Sequence, residues 1–188
     1  MFNITGGRFK GMALVAPPTL RATEAKVRQA VGNILRDVLE EGRVLDGFAG
    51  SGALGFEALS RGASFVAFVD SDPNAVVSIR DNLERLGADI ARSAWRVLHL
   101  DFERGVQELA ESEAPFDIIL LDPPYRTDDG KNALNALDEY AILAPGGIVM
   151  VEHHQRTLLP SSIGPLRHRK RHRYGDTVLS LYQASVPS

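Results

Sequence analysis

The chain has no cysteine among its 188 residues, which excludes disulfides and thiolate metal sites. It also lacks any apolar run approaching the ~18 residues that a membrane span requires. Its start, Met1-Phe2-Asn3-Ile4-Thr5-Gly6, has no charged stretch followed by an apolar core of the kind a secretory signal carries. A cytoplasmic protein with no membrane contact is the expectation. Repeats and low-complexity linkers are missing too, so one domain over 1–188 is expected, with 1–20 as a hairpin appendage and 21–188 as the core. A hydrophobic share of 44% is ordinary for a folded soluble domain.

Basic residues are scarce where acids are plentiful. Residues 37–152 hold nine Lys/Arg against 22 acids, whereas 1–36 and 153–188 each hold six Lys/Arg against one acid. The net charge of −3 therefore conceals two basic ends around an acidic middle. If both ends fold to one side, they make the positive surface that a polyanion needs; scattered solvated charge is the alternative.

Short apolar stretches around Gly6-Gly7 and Gly11 predict an amino-terminal β-hairpin with Arg8 and Lys10 at its tip. Thr23 is a candidate N-cap for a helix running to about Glu41, because Val27, Ala30, Val31, Ile34, Leu35 and Val38 recur at helical spacing. Strands follow at Arg43–Gly47, Phe65–Val69, Trp95–Leu100, Phe116–Leu121 and Ile148–Val151, with helices between them. Two antiparallel strands, 166–173 and 177–184, close the chain. This alternation predicts a three-layer α/β fold with a mostly parallel sheet covered on both faces.

The fourth strand runs into Asp122-Pro123-Pro124-Tyr125. Two prolines cannot continue a strand and stiffen the loop, so the Asp122 carboxylate and the Pro123 carbonyl can serve as two acceptors aimed at one point beside the flat face of Tyr125. That arrangement suits a planar substrate with an exocyclic NH2 group. An ordinary Pro-Pro turn is the plainer explanation, and these four residues alone do not decide.

Upstream, Gly50-Ser51-Gly52-Ala53-Leu54-Gly55 follows a strand and opens a helix, with Asp70 twenty residues after Gly50. Close backbone approach, a helix start and an acid at the second strand's end fit any ribose-bearing cofactor, dinucleotides included. Asp46, four residues before Gly50, would repel a pyrophosphate and suits an amino group or a cation instead. Asp101 ends the third strand, from which a carboxylate can accept from an adenine amine. Asp46, Asp70, Asp101 and Asp122 thus sit at four successive strand ends, which describes one carboxylate-lined crevice.

Asp46-Gly47-Phe48-Ala49-Gly50-Ser51-Gly52, with Asp122-Pro123-Pro124-Tyr125 downstream, resembles the class I S-adenosylmethionine-dependent methyltransferases that act on amines. Ile4-Thr5-Gly6-Gly7-Arg8-Phe9-Lys10-Gly11, the segment Arg21-Ala22-Thr23 leading to Val27-Arg28-Gln29-Ala30, and Glu57-Ala58-Leu59-Ser60-Arg61-Gly62-Ala63 narrow the likeness. With Tyr174-Gly175-Asp176-Thr177, they are similar to the RsmD-type family of bacterial 16S ribosomal RNA guanine-N2 methyltransferases over nearly the whole chain. The chain departs from that pattern at Ala22, Gly32 and Gly47, where proline, phenylalanine and leucine are usual.

The resemblance implies a Rossmann-like fold with a seven-stranded sheet whose last strand is antiparallel, and S-adenosylmethionine as cofactor, with no metal. Asp46 and the loop Gly50-Ser51-Gly52 would hold its methionine end, Asp70 the ribose hydroxyls, and Asp101 with Phe102 the adenine, with Phe48, Ala49 and Ser71 as further cofactor contacts. Asp122, Pro123, Pro124 and Tyr125 would hold the target amine and its base. Ribosomal RNA, within an assembling small subunit, is the implied partner. Arg8, Lys10, Arg21, Thr23 and Arg28 are candidate RNA contacts. So are Arg167, Arg169, Arg171 and Arg173, which regular strand alternation would put on one face; a charged edge that discourages aggregation is the other explanation for them. His153 and His154, adjacent on a strand, point to opposite faces and make no joint metal site. A DNA adenine-N6 methyltransferase and a non-catalytic RNA-binding or ribosome-assembly protein remain the alternatives.

Overall fold

Five strands of this chain are apolar almost without interruption, as strands buried on both faces must be. The computed structural model describes residues 1–17, 23–124 and 128–186. In chain order, β1 (Phe2–Asn3) and β2 (Ala13–Leu14) form a separate antiparallel hairpin. Then come α1 (Ala25–Ile34), α2 (Arg36–Leu39), β3 (Arg43–Gly47), α3 (Ala53–Ser60), β4 (Phe65–Asp70), α4 (Pro73–Leu86), β5 (Trp95–His99), α5 (Phe102–Ser112) and β6 (Phe116–Leu121). The chain ends with α6 (Asp129–Glu139), β7 (Leu143–His154), β8 (Ser162–Ile163), β9 (Leu166–Tyr174) and β10 (Thr177–Ala184). No helix among the described residues is long and apolar enough to cross a membrane.

The main sheet has the order β5-β4-β3-β6-β7-β10-β9-β8. Strands β3 to β7 pair in parallel, and β10 runs antiparallel to both β7 and β9. Seven of these strands match the expected sheet; β8 adds a two-residue eighth at the edge. The chain moves outward from β3 to β5 and then returns to pair β6 on the other side of β3. The carboxyl ends of β3 and β6 therefore form the topological switch point, where ligands of such sheets bind. Register carries the two key acids there: Asp46 pairs with Leu120 and Gly47 with Leu121, so Asp122 emerges beside the end of β3.

Alternate residues of each strand enter opposite cores. Val44, Val66, Phe68, Ile118 and Leu120 pack with α1, α3 and α4. Leu45, Ala67, Val69, Ile119 and Leu121 pack with α5 and α6. Tyr182, fully buried in the second core, donates to the Pro160 carbonyl at 2.6 Å, and burial pushes its phenol up to about 12.

The hairpin is built into the first core. Phe2, Ile4 and Leu14 are buried in it, and the Thr5 backbone N–H and hydroxyl donate to Glu57 on α3 at 2.6 and 2.9 Å. On the far side Asn82 brackets Val15, accepting from its N–H at 3.0 Å and donating to its carbonyl at 2.8 Å.

Two expectations about local structure need correcting. The helix expected to run unbroken to Glu41 is two, because Leu35 leaves helical geometry at φ −100°, ψ 10°. The regular alternation expected for residues 167–173 is broken by a bulge. Arg171 pairs with Ser180 and Arg173 with Val178, but Lys170 pairs with Leu181 and His168 with Tyr182, leaving Arg169 as the extra residue. A bulge of this kind shifts everything beyond it by one. Arg171 and Arg173 therefore share a face with His168, while Arg167, opposite Gln183, lies on the other.

Candidate active site

The loop after β3 is shaped by backbone bonds to the end of β4. Ala49 N–H donates to the Val69 carbonyl at 3.1 Å, and Gly50 N–H donates to Asp70 Oδ2 at 2.7 Å. Asp70 Oδ1 accepts from the Asp72 N–H at 2.8 Å, so its carboxylate is held at both ends. Gly50 and Gly52 take φ of +53° and +74°, conformations in which a side chain is strained. A Cβ on Gly52 would also lie 2.9 Å from both Ile79 and Phe56, so helix α3 can start here only behind a glycine. Ser51, between them, is 2% exposed.

Asp46, next to last in β3, lies beneath that helix start, 1% exposed, and its Oδ2 accepts from the Gly55 N–H at 2.8 Å. Its carboxyl titrates well above the usual range, first because burial disfavours the charge, and further because Asp122 and Asp70 are close enough to repel it. The Gly55 bond opposes this only in part.

A crevice runs over these strand ends in two lobes that share Phe48, Asp70 and Ser71. The first, about 330 Å³, is lined by Phe102, Asp101, Glu103, Asp129 and Asn132. The second, about 350 Å³, is lined by Thr23, Glu24, Asp122, Pro123, Pro124 and Glu152. Among the described lining residues there are seven carboxylates and no Lys or Arg. The Asp101 carboxylate caps α5, accepting from the Arg104 N–H at 3.0 Å, so its place in the first lobe is also a structural one. His153, by contrast, is buried away from the crevice, with Nε2 2.8 Å from the Ser180 hydroxyl.

The candidate RNA contacts divide. Arg8 and Lys10 are exposed at the hairpin turn, and Arg167, Arg169, Arg171 and Arg173 are exposed along β9. Arg28 is 3% exposed and belongs to the interior: its guanidinium donates to the carbonyls of Thr23 and Asn3 and lies 3.5 Å from Glu57. Thr23 is 8% exposed and faces the crevice, its hydroxyl 3.0 Å from Asp122 Oδ2, so it neither caps α1 nor points outward. Arg21 and Tyr125 lie outside the described residues. Glu152, Glu103 and Asn132 were not among the expected site residues. Glu152 was legible, because it continues the series of acids at strand ends by one more strand; the helical pair carries no such signal.

Relatives and solved structures agree with this architecture. The family model described as Conserved hypothetical protein 95 matches residues 2–183. The Bacillus subtilis protein YlbH, described as a candidate rRNA methyltransferase, is 37% identical over 183 residues, covering 96% of this chain and 98% of its own. Ribosomal RNA small subunit methyltransferase D of Escherichia coli is 32% identical, covering 96% and 89%. The solved structure of Escherichia coli yhhF, described as a candidate methyltransferase, superposes with a TM-score of 0.85 at 31% identity, covering 99% of each chain. The chain thus belongs to the Conserved hypothetical protein 95 family, that of the small-subunit ribosomal RNA methyltransferase D proteins, and has its methyltransferase fold.

Proposed function

We propose that this protein transfers a methyl group from S-adenosylmethionine to the exocyclic N2 amine of a guanine in 16S ribosomal RNA, within an assembling small subunit. The observation that carries the cofactor half is the charge of the crevice: seven carboxylates, no lysine or arginine among its described lining residues, and a buried Asp46 already pressed by two neighbours. A dinucleotide's pyrophosphate meets repulsion there, whereas a ligand bearing an ammonium and a sulfonium relieves it. Bound there, S-adenosylmethionine would supply an electrophilic methyl with a neutral thioether as its leaving group; the amine nitrogen would gain that methyl and give up one proton to solvent.

The chain's own residues position and stabilise. Asp46 faces positive charge at the methionine end, and Asp70, held by two backbone N–H groups, offers its remaining lone pairs to ribose hydroxyls. Phe48 and Phe102 wall the adenine lobe. Asp122 accepts one N–H of the target amine and stabilises the positive charge that develops there, while rigid Pro123 offers a second acceptor. Tyr125 gives the base a surface to stack on. Exposed Arg8, Lys10, Arg169, Arg171 and Arg173 take RNA phosphates, which the acidic crevice would repel. The ribosomal substrate is supported by the names of the relatives, the exocyclic amine by the run Asp122-Pro123-Pro124-Tyr125, and guanine as the base by the resemblance of the sequence to the RsmD-type family.

The test is nucleoside mass spectrometry of 16S ribosomal RNA from a strain lacking the gene, paired with transfer of labelled methyl to its small-subunit particles by purified protein. One N2-methylguanosine should be missing and then restored. Asp122→Ala should slow transfer on the order of 10²- to 10³-fold, by analogy with loss of an oxyanion-hole donor, while still binding cofactor. An unchanged nucleoside profile, or an Asp122→Ala protein as fast as wild type, overturns the reading.

A further inference from the structure

Thr23 stands at the entrance to α1, yet its hydroxyl does not serve that helix. The N-cap position is Glu24 and α1 has no side-chain cap. A threonine here could have bonded a nearby backbone N–H, the common local use of such a residue. Its Oγ1 instead donates to Asp122 Oδ2 at 3.0 Å, across 99 positions of sequence. Both residues line the second lobe of the crevice. The backbone of Thr23 is secured as well: its carbonyl accepts from the Arg28 guanidinium, which is anchored in turn by Glu57 and by the Asn3 carbonyl 2.9 Å away. A buried framework made from the hairpin, α1 and α3 thus ends in one hydroxyl aimed at one carboxylate oxygen.

We infer that Thr23 is a positioning residue for methyl transfer, holding Asp122 in the single orientation that presents its carboxylate to the target amine. The inference rests on the assignment of Asp122 as the amine acceptor. The carboxylate torsion of an aspartate is broad and roughly two-fold, so the side chain does not select an orientation by itself. A donor fixed on Oδ2 selects one before substrate arrives. Because the reacting nitrogen must be aligned as well as close, a small loss of orientation is read out in turnover far more than in binding.

Steady-state methylation of small-subunit particles from a gene-deletion strain, with labelled S-adenosylmethionine, tests this. Thr23→Val exchanges the hydroxyl for a methyl of similar size, and Thr23→Ser keeps the hydroxyl. For Thr23→Val, kcat should fall about 10- to 100-fold, with the KM for particles and the cofactor affinity within about twofold of wild type. Thr23→Ser should restore kcat to within a fewfold. Thr23→Ala carries the same kcat readout if valine disturbs the packing, and melting temperatures report whether it does. A wild-type kcat in Thr23→Val or Thr23→Ala overturns the inference. So does a loss that serine fails to rescue, or a raised KM with kcat intact, which would make Thr23 a substrate contact. Wild type and Asp122→Ala run alongside: an inactive wild type or a fully active Asp122→Ala sinks the functional reading itself, whereas an inert Asp122→Ala beside a fully active Thr23→Val sinks only the role of Thr23.

Discussion

Phe48 lies flat against Phe102, with ring centroids 4.9 Å apart and planes 12° from parallel. One ring comes from the loop after β3 and the other from the first residue of α5, so the stack joins two strand ends across the crevice. Phe48 reaches it at φ +59°, a left-handed backbone that costs a residue other than glycine ~1–3 kcal/mol. Packing on Phe102 and the bonds of the neighbouring loop residues to β4 hold it there. Strain of this kind persists where the surroundings over-determine a conformation, and here it sits in the wall shared by both lobes.

Gly47 is what leaves room for that stack. A Cβ at this position would lie 2.4 Å from Phe102 Cε2 and 2.9 Å from Leu121 Cδ2. Gly47→Ala should push Phe102 out of line and weaken binding of S-adenosylmethionine or its demethylated product about tenfold, or ~1.4 kcal/mol. Overpacking should cost a further ~1–3 kcal/mol of stability. Calorimetry and thermal melts read the two effects separately.

Asp46 supplies a pH prediction. Its folded pKa is raised, chiefly by burial, so the folded protein holds that proton more tightly than the unfolded chain does. The stability it contributes is complete below the ordinary aspartate value of ~3.9 and is lost as pH rises through the raised folded value. Asp46→Asn removes the loss while keeping an acceptor for the Gly55 N–H. The ligand-free variant should melt higher than wild type at neutral pH, with a flatter dependence on pH. Cofactor affinity should fall at least tenfold, because the countercharge is gone; melting curves across pH and calorimetry check both.

Glu57 accepts from Thr5 twice and lies within 3.6 Å of both Arg28 and Arg61 while only 3% exposed. Glu57→Ala leaves two guanidinium groups without their acid, the situation in which breaking a buried ion pair costs ~3–5 kcal/mol. Urea unfolding should show that loss. Amide exchange in the hairpin should accelerate more than exchange in β6.

Charge reversal at Arg169 and Arg171 should weaken RNA binding and lower the slope of log affinity against log salt by about one unit for each phosphate no longer neutralised. Cofactor binding should not change. Filter binding at several salt concentrations measures both, and an unaltered slope would leave β9 as a solvated edge.

How much of this was legible depended on whether a residue's partner lay nearby in the chain. The strand ends carrying Asp46, Asp70, Asp101 and Asp122 could be read because apolar runs mark each strand and a proline, a glycine or a helix start marks where it stops. Arg28 could not, since an arginine at helical spacing reads as solvated until its acid, 29 positions later, folds against it. The bulge at Arg169 was hidden for another reason: alternating arginine, histidine and lysine offer no apolar face from which to count register. Thr23 looked like a cap because threonine before a helix usually is one, and its true partner sits 99 residues away.

The bond from Thr5 to Glu57 also sets an order of events during synthesis. The hairpin leaves the ribosome before α3, and its buried acceptor is made 52 residues later. At roughly 5–20 residues per second, that is about 3–10 s of translation. A two-stranded hairpin alone is marginal in water, so through that interval Phe2, Ile4 and Leu14 have no surface to bury against. The hairpin is therefore made before α3 yet becomes structured only with it, and a nascent chain stalled before α3 should expose residues 2–14 to protease.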